Sequence, residues 1–129
     1  MAERRVISAA GAPEVAGPYS HGIEHGGVLY CAGQIPTRPG KDELIEGDIG
    51  QHTTQCLENL EAVCEEAGTS LERALMVSVF TTDLASGPQI NEAYAKAFEG
   101  GDPPARAMVE VAGLPLGASV EIAAVVAVE

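Results

Sequence analysis

Two charged side chains stand inside apolar segments near the end of the chain. Arg106 lies in the segment 103–115, which predicts a strand that starts at a Pro-Pro corner and ends in a Gly-Leu-Pro turn. Guanidinium is always charged, so burying it without an anion is costly. A protein carboxylate or a ligand anion must therefore neutralise it, and the sequence leaves both open. Alternation along this strand predicts one face made of Val109 and Val111 and another made of Arg106, Met108 and Glu110.

Glu121 is the second unusual residue, because seven apolar residues follow it. It is either an exposed strand end or a partly desolvated carboxylate with a raised pKa, able to move protons. Glu110 is a rival for that role. If the last two strands form a hairpin around 115–116, Glu121 lies nearer Glu110 than Arg106. Register is not fixed by sequence, so the sequence alone does not bring Arg106 and Glu121 into one site.

The other reactive side chains form no metal or nucleophile motif. His21 and His25 are predicted on one face of a strand, about 13 Å apart, which is too far to share a metal. His52 is predicted at an exposed helix start. No adjacent base is predicted for Ser20, Ser78 or Ser119, so a serine nucleophile is not expected. The chain has three cysteines and no Cys-x-x-Cys motif, and we interpret Cys31, Cys56 and Cys64 as small buried hydrophobic residues.

The elements that must position these residues alternate between strands and helices. Periodicity and turn signals predict the order β-β-β-α-β-α-β-β, an α+β fold with two helices packed on one face of a sheet. The predicted strands are 4–8, 19–24, 28–32, 75–82, the Arg106 strand and 120–128. In the strand 75–82, Leu75, Val77 and Val79 are predicted to face one way.

Capping residues delimit the two predicted helices. Asp48 and Gln51 form a capping box for the first helix, and Gly68 ends it. Its apolar stripe is Ile49, Thr53, Cys56, Leu60, Val63 and Ala67. Ser86 is predicted to cap the second helix, which ends at 100–101. Its apolar face is Ile90, Tyr94, Ala97 and Phe98.

The last predicted strand is apolar on both faces, with Ile122, Ala124, Val126 and Val128 on one and Ala123, Val125 and Ala127 on the other. Two helices can cover only one face of the sheet. The second face is therefore expected to be buried against other subunits in an obligate oligomer, which makes a site between subunits plausible.

Length and charge limit the classes of partner. The chain has 129 residues and is 46% hydrophobic, which predicts a single domain over residues 1–129. Its net charge is −12. An acidic surface repels phosphate backbones and anionic lipid, so neither nucleic acid nor membrane is an expected partner. No apolar stretch is long enough for a membrane span or forms a signal core, which predicts a cytoplasmic protein.

Several motifs, in order, resemble those of the RidA/YjgF family, the reactive intermediate deaminases. They are Gly17-Pro18-Tyr19-Ser20, Ala32-Gly33-Gln34-Ile35-Pro36, Asn91, Pro104-Ala105-Arg106, Val109-Glu110-Val111-Ala112, Leu114-Pro115 and Glu121-Ile122. The resemblance covers nearly the whole chain. It implies a chorismate-mutase-like fold and a homotrimer with clefts between subunits. It also implies hydrolysis of 2-imino or enamine acids, such as 2-iminobutanoate and 2-iminopropanoate, to 2-oxo acids and ammonia without a metal or organic cofactor.

The same resemblance assigns roles to individual residues. Arg106 is similar to the arginine that clamps the substrate carboxylate, and Glu121 to the carboxylate that positions the hydrolytic water and exchanges protons with the imine. Tyr19 and Asn91 match positions that line the cleft. The backbone around Gly33 and Met108 would supply hydrogen bonds there.

Two positions depart from the family's common deaminase pattern. Ala32 stands where that pattern has a serine, and Met108 where it has a cysteine. The carboxylate clamp is intact, but neither hydroxyl nor thiol is available, which leaves open a different imine or little deaminase activity. Two other functions stay open: a trimer that binds a small carboxylate as a sensor or carrier, and an endoribonuclease or translation inhibitor, against which the acidic charge weighs.

Overall fold

The computed structural model describes residues 3–129; Met1 and Ala2, the first two residues of the predicted domain, lie outside the described residues. The predicted order of eight elements is confirmed. They are β1 (Arg5–Ile7), β2 (Gly22–His25), β3 (Val28–Gln34), α1 (Ile49–Glu66), β4 (Ala74–Thr81), α2 (Gly87–Ala97), β5 (Ala105–Glu110) and β6 (Val120–Ala127). Short 3₁₀ turns over Leu71–Arg73, Leu84–Ser86 and Pro115–Gly117 connect some of them.

The six strands form one sheet in the order β1-β2-β3-β6-β4-β5. The β4–β5 pair is parallel because α2 carries the chain back across the sheet between these strands, and the other pairs are antiparallel. The hairpin alternative for the last two strands is therefore wrong, since β4 separates β5 from β6. This placement moves Glu121 away from Glu110 and decides which residues can share a site.

Helix α1 begins and ends as predicted. The Asp48 side chain accepts from the Gln51 amide while the Gln51 side chain accepts from the Asp48 amide, each at 2.9 Å. Gly68 follows the helix with φ +81, a conformation that favours glycine. The stripe from Thr53 to Ala67 is buried against the sheet, with Cys56, Leu60 and Val63 at 0% exposure.

Helix α2 departs from the prediction at both ends. Ser86 occupies the N-cap position but its side chain makes no capping hydrogen bond, because a 3₁₀ turn capped by Asp83 leads directly into the helix. The helix ends at Ala97, with Phe98 as its C-cap, and not at the predicted glycine pair 100–101. Ala97 is exposed, whereas Ile90, Tyr94 and Phe98 are buried as expected. The buried face is narrower than predicted because α2 packs beside α1 near the edge of the sheet.

The two faces of the sheet are unequal. Alternate residues of β6 from Val120 to Val126 are buried under the helices, while the intervening residues are only partly buried on the other face, called the open face below. The prediction for Leu75 is wrong: it is half-exposed because the β4–β6 register shifts between Ala74 and Met76. Val77 and Val79 do face the helices, at 0% exposure.

The predicted strand at 19–24 starts three residues later, at Gly22. Residues 19–21 instead fold against the preceding loop: the Tyr19 amide donates to the Gly17 carbonyl at 2.9 Å, and the His21 ring bonds to the loop. His21 is therefore not on a strand face with His25. None of the helices within residues 3–129 combines the length and apolar character needed to cross a bilayer.

Candidate functional site

Glu121 lies on the open face, beside an irregularity in β3. Cys31 pairs with Ala124 and Gln34 with Ile122, so β3 carries one extra residue over this interval and forms a β-bulge at Ala32 and Gly33. A Cβ on Gly33 would lie 3.0 Å from Glu121 Cδ and closer still to Oε2. The bulge and the missing side chain of Gly33 together make room for the Glu121 carboxyl group.

The Glu121 carboxyl is partly desolvated. Burial raises its pKa above the ordinary value of 4.5. Within the described residues the side chain has no hydrogen-bond or ion-pair partner. The interpretation of Glu121 as a partly desolvated carboxylate is thus supported, and that of an exposed strand end is not.

A cavity of about 1000 Å³ opens in front of Glu121. Tyr19, Ala32 and Gly33 line it, so four of the seven predicted site residues lie together. Its wall is largely apolar on one side, and charged side chains that the sequence reading did not single out also line it. The apolar members are Val15, Ile35, Pro115 and Leu116, and the charged ones Glu14, Lys41 and Asp42.

His21 also lines this cavity, but both of its ring nitrogens are occupied. Nδ1 accepts from the Ala9 amide at 2.9 Å, which leaves the proton on Nε2 to be donated to the Pro13 carbonyl at 2.6 Å. A buried neutral imidazole held in this way orders the loop 9–21. We therefore assign His21 a structural role.

Arg106 lies elsewhere, on the outer strand β5 and on the helix face of the sheet. It pairs with Val77, a residue fully buried under the helices, and paired residues project to the same face. Its guanidinium carbon lies 4.7 Å from the centre of the Tyr94 ring of α2. Among residues 3–129 the one ion pair is Arg5–Glu24, so no protein carboxylate neutralises Arg106.

Met108 and Asn91 belong to the same neighbourhood as Arg106. Helix α2 runs antiparallel to β5, so that Tyr94 contacts Arg106 while the Met108 sulfur lies 4.0 Å from the position of a Cβ on Gly87. Asn91 is exposed on α2 between these two contacts. Arg106 and Met108 therefore both lie against α2 and form a second cluster along the outer edge of the sheet, and Asn91 lies about one helical turn from Gly87 and from Tyr94 on that helix.

Glu110, the rival carboxylate, is already engaged. Its Oε1 accepts a hydrogen bond from the Leu84 amide at 2.9 Å, which ties β5 to the 3₁₀ turn before α2. Glu110 also lies on the helix face, since it pairs with Thr81, which is fully buried. This contact gives Glu110 a structural role and leaves Glu121 as the free carboxylate.

Within one chain the two clusters do not meet. Glu121 pairs with Phe80 on the open face, whereas Arg106 pairs with Val77 on the helix face, two strands away. Strand spacing and rise place their Cα atoms roughly 14 Å apart. The sheet lies between the two side chains, so a single chain cannot hold one small ligand with both.

Metal ligands and reactive thiols are not features of this site. Residues 3–129 contain no group of three or more His, Cys, Asp or Glu side chains placed to hold a metal ion. The three cysteines are buried and free, as predicted. Burial raises the pKa of Cys56, and a contact with Cys31 together with burial raises that of Cys64, so both thiols stay protonated. His52 is less exposed than predicted, and its buried Nε2 has no hydrogen-bond partner in the described part of the chain.

Comparison with known proteins identifies the family. A family model described as Endoribonuclease L-PSP matches residues 9–128. A RutC family protein of Pyrococcus horikoshii is 43% identical over 122 residues, covering 95% of this chain and 96% of that protein. A solved structure of a conserved Rid family protein of Yersinia pestis superposes with a TM-score of 0.93 at 41% identity, covering 97% of this chain and 99% of that one. The chain belongs to the Rid family, also called RidA/YjgF, and has its chorismate-mutase-like fold.

A third relative carries a ligand. Escherichia coli TdcF, solved with bound serine, has a TM-score of 0.91 at 34% identity and covers 95% of this chain and 98% of its own. The family model's description names an endoribonuclease, whereas this relative is a protein that binds an amino acid. These comparisons show membership in the family, but their descriptions differ about activity. The activity must therefore be inferred from the chemistry of the site.

Tyr94 is the residue that sequence reasoning assigned only to the core. Its ring is buried, as expected, yet the Arg106 guanidinium contacts one face of the same ring. The signal was available in part: a β-α-β crossover packs its helix against both parallel strands, which brings α2 over β5. What the sequence did not provide was the face of β5 that Arg106 occupies.

Proposed function

We propose that this protein hydrolyses 2-imino and enamine acids, such as 2-iminobutanoate and 2-iminopropanoate, to 2-oxo acids and ammonia, in sites shared between subunits of a homotrimer. Arg106 of one subunit would bind the substrate carboxylate, and Glu121 of the neighbouring subunit would act on the imine. The observation that carries this proposal is the separation of a free arginine and a desolvated carboxylate on opposite faces of the sheet. A second copy is needed to bring them to one ligand.

The arrangement suits a hydrolysis that needs no metal or organic cofactor. Two parallel hydrogen bonds from the planar guanidinium fix the carboxylate and with it the plane of the C=N bond. Glu121 takes a proton from a water as the water oxygen adds to the imine carbon, and returns that proton to the nitrogen, which gives a carbinolamine. Glu121 then takes the hydroxyl proton of the carbinolamine and passes it to the amine. The C–N bond breaks, ammonia leaves, and the C–O bond becomes the carbonyl of the 2-oxo acid. A raised pKa in Glu121 favours both halves of this proton exchange.

The open face supports the assembly. One apolar row crosses all six strands in register, and its members Val6 and Tyr30 are 54% and 50% exposed. The row consists of Val6, Ile23, Tyr30, Val125, Met76 and Ala105. A continuous apolar face of this kind is expected to be covered by other copies of the chain. In the trimer, the edge of one subunit that carries Arg106 would meet the cavity of the next.

The two departures from the common deaminase pattern bear on substrate range. Ala32 lies at the bulge beside Glu121, and Met108 lies beside Arg106, so each cluster has lost one small polar group. With Ile35 and Leu116 on the cavity wall, the site favours imines with apolar side chains. The buried, protonated cysteines are consistent with a reducing, cytoplasmic location for this activity.

Two other functions have some support. The serine bound to Escherichia coli TdcF favours a related role for this chain as a binder of small amino or oxo acids without rapid turnover. Ribonuclease activity rests on the description of the family model alone, and a net charge of −12 opposes binding to a phosphate backbone.

Ammonia release separates these functions. Imines are generated in the assay by an amino-acid oxidase acting on alanine, leucine or methionine, and the rates of 2-oxo acid and ammonia formation are compared with and without the protein. We expect acceleration that withstands EDTA. A protein that binds 2-oxobutanoate but leaves the rates unchanged is a binder, and RNA cleavage that co-elutes with the protein and vanishes in Arg106→Ala would replace the proposal with a ribonuclease.

A further inference from the structure

We infer that Tyr94 is a positioning residue that holds the Arg106 guanidinium in place and ready for a carboxylate. This inference rests on the proposed role of Arg106 and adds to it a residue that acts through the arginine without touching substrate. It starts from one contact, the 4.7 Å between the Arg106 guanidinium carbon and the centre of the Tyr94 ring. At this distance the positive group lies over the negative face of the ring.

Among the described residues, the Tyr94 ring is the group that orders the Arg106 guanidinium, which has no hydrogen-bond or ion-pair partner. No carboxylate pairs with it, and no backbone carbonyl accepts from it. Arginine has many rotamers, and fixing them when a ligand binds lowers affinity. A ring that fixes the guanidinium in advance therefore strengthens binding of the anion even though it makes no contact with it.

An aromatic contact suits this task. The Tyr94 ring holds the positive group by its negative face and offers the N–H donors no acceptor, so these donors stay available in the plane of the guanidinium. An aspartate or glutamate in the same place would instead consume two donors and neutralise the charge. The aromatic partner thus orders the arginine without competing with the substrate carboxylate.

Tyr94 is itself well fixed. It is 6% exposed, and its ring lies 4.7 Å from the ring of Phe98, the residue that follows the last residue of α2. Its hydroxyl is buried without a hydrogen-bond partner in the described structure. Burial raises the pKa of Tyr94, against a smaller lowering by Arg106, so the phenol remains neutral at physiological pH. The ring, and not the hydroxyl, is therefore the part that serves Arg106.

This separation of ring and hydroxyl defines the test. Tyr94→Phe keeps the ring and should leave kcat and KM within about twofold of the wild type. Tyr94→Leu removes the ring contact and should raise KM for the imine, and Kd for the probe 2-oxobutanoate, roughly tenfold with a smaller change in kcat. Ile90→Ala is the matched control, because it removes a fully buried side chain from the same helix but leaves the contact between Tyr94 and Arg106.

A structural role predicts a different pattern. If Tyr94 only fills the core, Tyr94→Leu and Ile90→Ala should lower the melting temperature alike and change KM alike, which would overturn the inference. A rise of KM in Tyr94→Leu alone, with rescue by Tyr94→Phe, supports it.

A spectroscopic measurement covers the case in which Tyr94→Leu does not fold or the protein has no imine hydrolase activity. The ring current of Tyr94 should shift the Nε–H proton signal of Arg106 upfield of the signals of the other four arginines, with Arg106→Lys giving the assignment. The shift should persist in Tyr94→Phe. An unshifted Arg106 signal in the wild type would overturn the inference whatever the enzyme assays show. Absence of wild-type turnover, with the shift present, would count against the proposed function alone.

Discussion

The sequence left two possible partners for Arg106, a carboxylate of the protein or the anion of a ligand, and the structure decides between them. The chain supplies an aromatic face and no carboxylate, so the alternative of a structural ion pair within one chain does not hold for the described residues. The charge is left for an anion that is not part of this chain. A clamp of this kind makes separable predictions for activity and stability.

Arg106→Ala should lower kcat/KM about a hundredfold or more, because it removes a bidentate charge-assisted contact, equivalent to about 3 kcal/mol of transition-state binding. The melting temperature should change by less than about 2 °C, since no ion pair within the chain is lost. Arg106→Lys should keep the charge but recover little activity. Arg73→Ala, at an exposed arginine, is the control. A large loss of stability with retained turnover in Arg106→Ala would return Arg106 to a structural role.

Glu121 makes a prediction about pH. Burial raises its pKa in the folded protein, so the folded chain keeps this proton to a higher pH than the unfolded chain. Ionisation above that pKa therefore opposes folding, and the penalty is absent below the ordinary pKa, where both states are protonated. Glu121→Gln should raise the melting temperature at pH 8 and match the wild type near pH 3.5, while turnover is lost. A melting temperature lowered at pH 8 would contradict a desolvated carboxylate.

At the residue scale, the sequence identified Arg106 and Glu121 as unusual but did not place them. Both stand out because a charge interrupts an apolar strand, and that signal is local. Whether they share a site depends on strand order, and the insertion of β4 between β5 and β6 is a long-range choice that local patterns do not encode. Tyr94 was missed for the same reason, since its partner lies in another element.

The β-bulge in β3 is the element that adapts a regular sheet to the site. It places Ala32 and Gly33 next to Glu121 and gives the carboxyl group space that a side chain would fill. The sequence predicted that this strand ends at residue 32, and instead it continues through the bulge to Gln34. Helix α1 was easier to predict, because its capping box and closing glycine are signals that lie within a few residues of each other.

Gly33→Ala tests the role of the bulge. The new Cβ would lie too close to the Glu121 carboxyl group, so the carboxylate must move, and kcat should fall at least tenfold with a smaller change in KM. Gly113→Ala is the matched control, since a Cβ there meets nothing within 4 Å. Equal activity of the two variants would show that the position of Glu121 is unimportant.

For the whole molecule, the open face is the feature that a single chain leaves unexplained. No other element within residues 3–129 covers the in-register apolar row from β1 to β5, as expected from a last strand that is apolar on both faces. Val125 lies near the middle of this row, between Tyr30 and Met76. The apolar pattern on both faces of the last strand thus predicted an assembly, while the details of contact between copies depend on surfaces that the sequence pattern does not resolve.

Val125→Asp should dissociate the assembly. A carboxylate buried in an apolar interface costs several kcal/mol, so sedimentation velocity should show monomers at micromolar concentration and turnover should be lost. Ala95→Asp places the same charge on the exposed side of α2 and should leave both the assembly and the activity intact. A Val125→Asp protein that sediments and turns over like the wild type would mean that this face is not an interface.

The sharing of sites between subunits is tested most directly by mixing two inactive variants. Arg106→Ala keeps Glu121, and Glu121→Gln keeps Arg106, so co-assembled subunits rebuild an intact site wherever the arginine of one meets the carboxylate of the other. With equal amounts and random assembly into a ring, about one quarter of the sites are intact. We therefore expect about a quarter of wild-type turnover from the co-expressed mixture and almost none from either variant alone. A mixture as inactive as its components would contradict a site built from two chains.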